Sequence, residues 1–149
     1  MSRTTCVLTA LVAALSFETA LAQDDLSKLQ GNWTMVSREC DGIFGSGREV
    51  KGGILSVEGN RYRSLLDGKS LSAVFTLDPG CKPKAIDFKY AEGPRKGETV
   101  KGIYKFEGDL FVLCRALQVE TERPRDFVTR AGSCSLTVVW KRATNFAGR

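Results

Sequence analysis

The sequence predicts an all-β domain, an eight-stranded antiparallel up-and-down barrel with a short N-terminal helix. Three observations carry that expectation. After residue 30 apolar side chains recur with a period of two, turn residues break the chain about every 8–12 residues, and no segment sustains a helical period.

The elements follow in order. Asp24–Gln30 reads as one short helix, with Asp24 or Asp25 as N-cap and Gly31 as terminator. Asn32–Cys40 is the first strand. The glycine-rich loop Asp41–Gly53 follows it. Ile54–Glu58 and Arg61–Leu66 flank Gly59-Asn60, a dipeptide suited to a tight hairpin turn. Asp67-Gly68 turns into Ser70–Leu77, and Asp78-Pro79-Gly80 breaks the chain again. Ile86, Phe88 and Tyr90 then share one face opposite Asp87 and Lys89. Val100, Gly102, Tyr104 and Phe106 oppose Lys101, Ile103 and Lys105. After Glu107-Gly108-Asp109, the strand Leu110–Leu117 sets Phe111, Leu113 and Arg115 against Leu110, Val112 and Cys114. The last strand, Ser135–Arg142, is apolar at Leu136, Val138 and Trp140.

Eight consecutive antiparallel strands leave two exposed edges unless the sheet closes, and closure removes both. A two-sheet sandwich satisfies the same periodicity. In a meander barrel the two longest irregular segments, Asp41–Gly53 and Gln118–Gly132, leave the same end, where binding loops tend to gather. The same topology sets Cys40 beside Cys134, making them the first candidate disulfide, with Cys81 and Cys114 a weaker second. One bridge, two bridges or four buried thiols all fit the count.

The chain's beginning has the layout of a secretory signal peptide: Arg3, the uncharged stretch Cys6–Phe17, and Ala20-Leu21-Ala22 ahead of Gln23. Residues 1–22 are therefore expected to be a leader and 23–149 one exported domain, secreted or periplasmic. The apolar stretch falls short of the roughly 20 residues a bilayer demands, so a membrane-embedded protein is not expected. The net charge is +5, mildly basic, and removing Arg3 with Glu18 leaves it unchanged. The chain contains no histidine, which excludes Ser-His and Cys-His dyads and histidine-bearing zinc sites. No metal or other cofactor is expected.

Several phrases resemble those of known proteins. Leu29-x-Gly31-x-Trp33 at the head of the first strand is similar to the opening of lipocalin-like proteins. That likeness implies structural closure of the barrel by Gly31, Trp33 and Arg142, or its neighbour Lys141, with the basic side chain stacked on the indole. Leu29–Trp33, Leu77-Asp78-Pro79, Pro83–Asp87, Gly102-Ile103-Tyr104, Gly108-Asp109-Leu110, Leu113-Cys114 and Arg123-Pro124-x-x-Phe127 occur in order. Together they resemble a lipocalin-like (calycin-like) domain family of unknown function found in planctomycetes and related bacteria. The resemblance implies a fold and an exported bacterial setting. It brings no catalytic residues.

Against that frame the candidate sites are few. Tyr62, Phe75, Phe88, Tyr104 and Trp140 are expected in the barrel interior, where they either line a pocket for a small hydrophobic ligand or fill it. Asp87 is a candidate anchor for the loop Arg123, Pro124 and Phe127, through an ion pair that would pin the mouth. Asp87, Glu98, Asp109 and Glu120 are read as turn and ladder residues rather than a paired-carboxylate active site, so an enzyme is not expected. Arg61, Arg63, Arg95, Lys96, Arg123 and Arg125 are read as solvated surface, with no nucleic-acid partner. Two functions follow: a binding module for a small hydrophobic ligand, or an envelope module with a filled barrel that meets anionic polysaccharide or protein through its surface.

Overall fold

Short turns force each strand to pair with the next, and the chain has enough strands to meet itself again. A computed structural model describes residue 17 and residues 19–144. Helix α1 (19–29) leads into β1 (Gly31–Cys40), the short β2 (Ile43–Phe44) and the single turn α2 (Gly47–Val50). Seven strands follow: β3 (Ile54–Glu58), β4 (Arg61–Leu66), β5 (Lys69–Asp78), β6 (Lys84–Tyr90), β7 (Thr99–Glu107), β8 (Leu110–Ala116) and β9 (Ser135–Arg142). Neighbours pair antiparallel in the order β1-β3-β4-β5-β6-β7-β8-β9, and β9 returns to β1. Trp33 lies opposite Arg142 and Cys40 opposite Leu136, which closes an eight-stranded barrel. A bulge between Met35 and Ser37 bends β1, so its first half pairs with β3 while its last residues pair with β2.

Alternation decides what goes inside. Leu55, Val57, Tyr62, Phe75, Phe88, Tyr104, Phe111, Leu113, Val138 and Trp140 are all buried in one continuous core. One end of the barrel is sealed by α1, which lays Leu29 and Asp25 against it, both buried. Asp25 accepts a 2.7 Å hydrogen bond from the Tyr104 hydroxyl and pairs with Lys84 Nζ at 2.8 Å. Trp33 donates from Nε1 to the Leu29 carbonyl at 3.0 Å, and the Arg142 guanidinium stacks 4.3 Å from the indole. Arg142 also donates to the Gln30 carbonyl at 2.8 Å and to that of Lys28. Gly31 makes this fit possible. Its φ of +107° carries the chain from helix to strand, and a Cβ there would stand 3.3 Å from Arg142 Nη1.

Several expectations need correction. The helix starts before Asp24, so Asp24 and Asp25 lie within it and cap nothing. Most of the expected leader, residues 1–22, lies outside the described residues. The segment 41–53 is partly regular: β2 extends the sheet, and Ser46 with Glu49 forms a reciprocal capping box on α2.

The disulfides do not form. Cys40, Cys81, Cys114 and Cys134 are all free thiols. Cys40 is in register with Leu136, leaving Cys134 displaced beyond the end of β9, where its carbonyl instead accepts from Leu117 N. Cys81 sits exposed in the β5–β6 turn beside Asp78, whereas Cys114 is buried between Ile103 and Thr137.

The sealed end generates one prediction. Replacing Asp25 with Ala strands the buried Tyr104 hydroxyl, and should cost about 2–3 kcal/mol in urea unfolding. Burial raises the phenols of both Tyr104 and Tyr62, the latter to about 12. Their contribution is full below the unfolded value of about 10 and is lost as pH rises toward the folded value. Stability should therefore fall between about pH 10 and 12, and Tyr62→Phe should flatten that fall.

Candidate functional site

The end opposite α1 is where the interior remains open. Here β1 ends, β4 turns into β5, β6 leads to β7, and the long segment after β8 begins. A cavity of about 310 Å³ occupies this mouth. Its walls are the last inward-facing residues of the strands: Leu66, Leu71, Leu117 and Leu136, with Tyr90 and Cys40. Three cations, Arg38, Lys69 and Arg115, line it against one carboxylate, Asp67. Arg38 pairs with that carboxylate at 3.5 Å, half exposed at the rim. Arg95 holds the rim in shape: it stacks 4.8 Å from the Tyr90 ring and donates to the Tyr90 hydroxyl at 3.3 Å and the Leu117 carbonyl at 3.1 Å.

Arg115 is the unusual member. It sits in phase with Phe111 and Leu113, and so projects into the barrel with only 9 % of its surface exposed. Directly across on β7 is Gly102. A Cβ there would come within 2.8 Å of the Cys114 carbonyl oxygen and 3.2 Å of Arg115 Cβ. The glycine lets β7 and β8 approach closely at this level. Below this level Tyr62, Phe88, Tyr104, Phe111 and Trp140 are almost wholly buried.

The five expected interior aromatics all face inward and pack on one another or their neighbours. Tyr62 meets Phe88 edge-on at 4.8 Å, Phe75 meets Phe88 at 6.5 Å, and Tyr104 meets Phe111 at 6.3 Å. None of the five lines the mouth cavity. Tyr62 loses proton affinity to nearby Arg115, Ser64 and Trp140, though burial dominates and leaves its phenol raised. Ser64 Oγ and Trp140 Nε1 nevertheless remain buried without reaching hydrogen-bonding geometry.

The expected loop anchor exists but holds a different surface. Arg123 pairs with Asp87 at 2.8 Å and donates to the Ile86 and Gly102 carbonyls at 3.3 and 2.8 Å. Phe127 gives its carbonyl to Thr137 and its ring to Lys105 Nζ, 4.6 Å away. Thr129 donates to Glu39. Segment 118–134 thus folds back along the outside of the barrel as a strap instead of standing over the mouth. It keeps the outward side chains Ile103, Val112 and Cys114 out of water, and Pro124 shares a cleft with Ile103.

Other features are dispersed. Glu98 pairs with Arg95 and Asp109 with Lys141, so the carboxylates do not converge. Among the described residues no group of three or more acidic or cysteine side chains could hold a metal. No helix among them is long and apolar enough to cross a membrane. A wider groove of about 590 Å³ lies on the outer face of β1, β3, β4 and β5, between Ile54, Arg63 and Leu65.

No protein-family model, curated protein or solved structure matches this chain. The geometry of the mouth therefore carries the functional reading.

The strap yields its own prediction. Arg123→Ala removes an ion pair and two charge-assisted bonds, and should cost about 2 kcal/mol. Limited trypsin digestion should then cut faster at the exposed Arg125 and Arg130, with the mouth cavity undisturbed.

Proposed function

We propose that this chain is a binding protein, an exported lipocalin-like carrier that takes one small hydrophobic molecule into the open end of its barrel. The supporting observation is the contrast between the two ends. One is plugged by α1 with hydrogen bonds and stacking. The other keeps a leucine-walled cavity of about 310 Å³, within the size range of small-molecule sites. Apolar surface left in such a concavity gains free energy when a ligand displaces its water, at roughly 25 cal/mol per Å². The strap on the outer wall leaves the mouth uncovered.

A second reading, a surface module for anionic polysaccharide, draws on the outward-facing, exposed Arg61 and Arg63 beside the outer groove. Salt-sensitive retention on an anionic polysaccharide column, lost on Arg61→Ala/Arg63→Ala, would favour it.

The carrier reading is tested with the neutral dye N-phenyl-1-naphthylamine. Saturable binding of one dye per chain is expected. Leu71→Trp, which fills the mouth, should weaken it at least tenfold, about 1.4 kcal/mol. Dye binding that is absent, or that ignores Leu71→Trp, would refute the site.

A further inference from the structure

Arg115 brings a cation to the wall of the cavity, and among the described residues no carboxylate pairs with it. Among the described residues its guanidinium makes one hydrogen bond, from Nη1 to the Ala116 carbonyl at 3.2 Å. Every ion pair formed among those residues involves other cations. A guanidinium offers five donors in a planar fork, and Arg115 lines the cavity, so the donors it does not use on Ala116 are open to a molecule that enters there.

The surroundings point the same way. The only carboxylate lining the cavity, Asp67, is engaged by Arg38 at the rim. Lys69 adds further positive charge above. Arg115 stands on the wall of the cavity, so a molecule entering by the mouth reaches its guanidinium.

We propose that the ligand of this cavity is an apolar molecule ending in a monoanionic group, which pairs with the Arg115 guanidinium while its apolar body lies against Leu66, Leu71, Leu117 and Leu136. The inference rests on the mouth being a ligand site and adds the chemistry of what enters. Charge-assisted pairing with a planar fork suits a carboxylate or a sulfate or phosphate ester alike.

The test compares decanoate, decyl sulfate and decanol, below their micelle concentrations, by calorimetry on the full domain and on Arg115→Met. The intact protein should bind at least one of the two anions tenfold or more tighter than the alcohol. Arg115→Met should bind all three within about threefold, while its ligand-free urea midpoint stays level or rises. An arginine present for structure would lower that midpoint and leave the ligand ratios alone, which overturns the proposal. Equal binding of decanol and both anions by the intact protein also overturns it, while leaving the carrier reading in place. Failure of these ligands and of the neutral dye together removes the carrier reading itself. Should Arg115→Met not fold, Arg115→Lys decides. It keeps the charge but loses the fork, and should retain a preference for anions that is smaller than that of the intact protein.

Discussion

The pairing of β9 with β1 is the constraint on which the other features depend. It runs from Trp33–Arg142 at one end to Cys40–Leu136 at the other, and it converts an open meander with two free edges into a cylinder. Without it Arg142 has no indole to cover and α1 has no rim to plug. The inner faces of β1 and β9 would also not share a core with β5 and β6. The bulge at Met35–Ser37 belongs to the same arrangement, because one strand must serve β3, β2 and β9 in turn.

Much of the barrel is written in the alternation. Phe111 and Leu113 on β8, Leu136, Val138 and Trp140 on β9, and Tyr62 on β4 all face inward as their period-two patterns require. What alternation does not contain is longitudinal position. Cys40 and Cys134 are adjacent in topology, yet the register puts Cys40 opposite Leu136 and leaves Cys134 in the turn beyond. Register along a strand pair is set by the turn and by the bulge, neither of which is legible as a hydrophobic pattern. The strap is a similar case. Arg123 and Asp87 do meet, but the side of the wall on which they meet depends on where the outer face of β7 and β8 is apolar enough to need covering.

The candidate site is partly legible in the sequence. Arg115 shares a face with Phe111 and Leu113, so a cation in an inward phase was visible in the sequence from the start. Its meaning depends on which side chains share the cavity with it, leucines and two further cations against Asp67, and that is a property of three-dimensional neighbours. The large aromatics drew attention because they can bind ligands, but size is also what fills a barrel. In this chain they fill its lower part, and the space that remains is bordered by leucines.

The strap gives the cylinder walls of unequal thickness. Along β7 and β8 a second layer of chain covers the outside, tied down through Arg123, Phe127 and Thr129, whereas β3, β4 and β5 carry no such jacket and leave Ile54, Leu65 and Val74 bare. The two flanks therefore differ in what bounds them: outward side chains of β7 and β8 meet a second layer of chain, those of β3–β5 meet solvent, and Arg115 stands on the covered side.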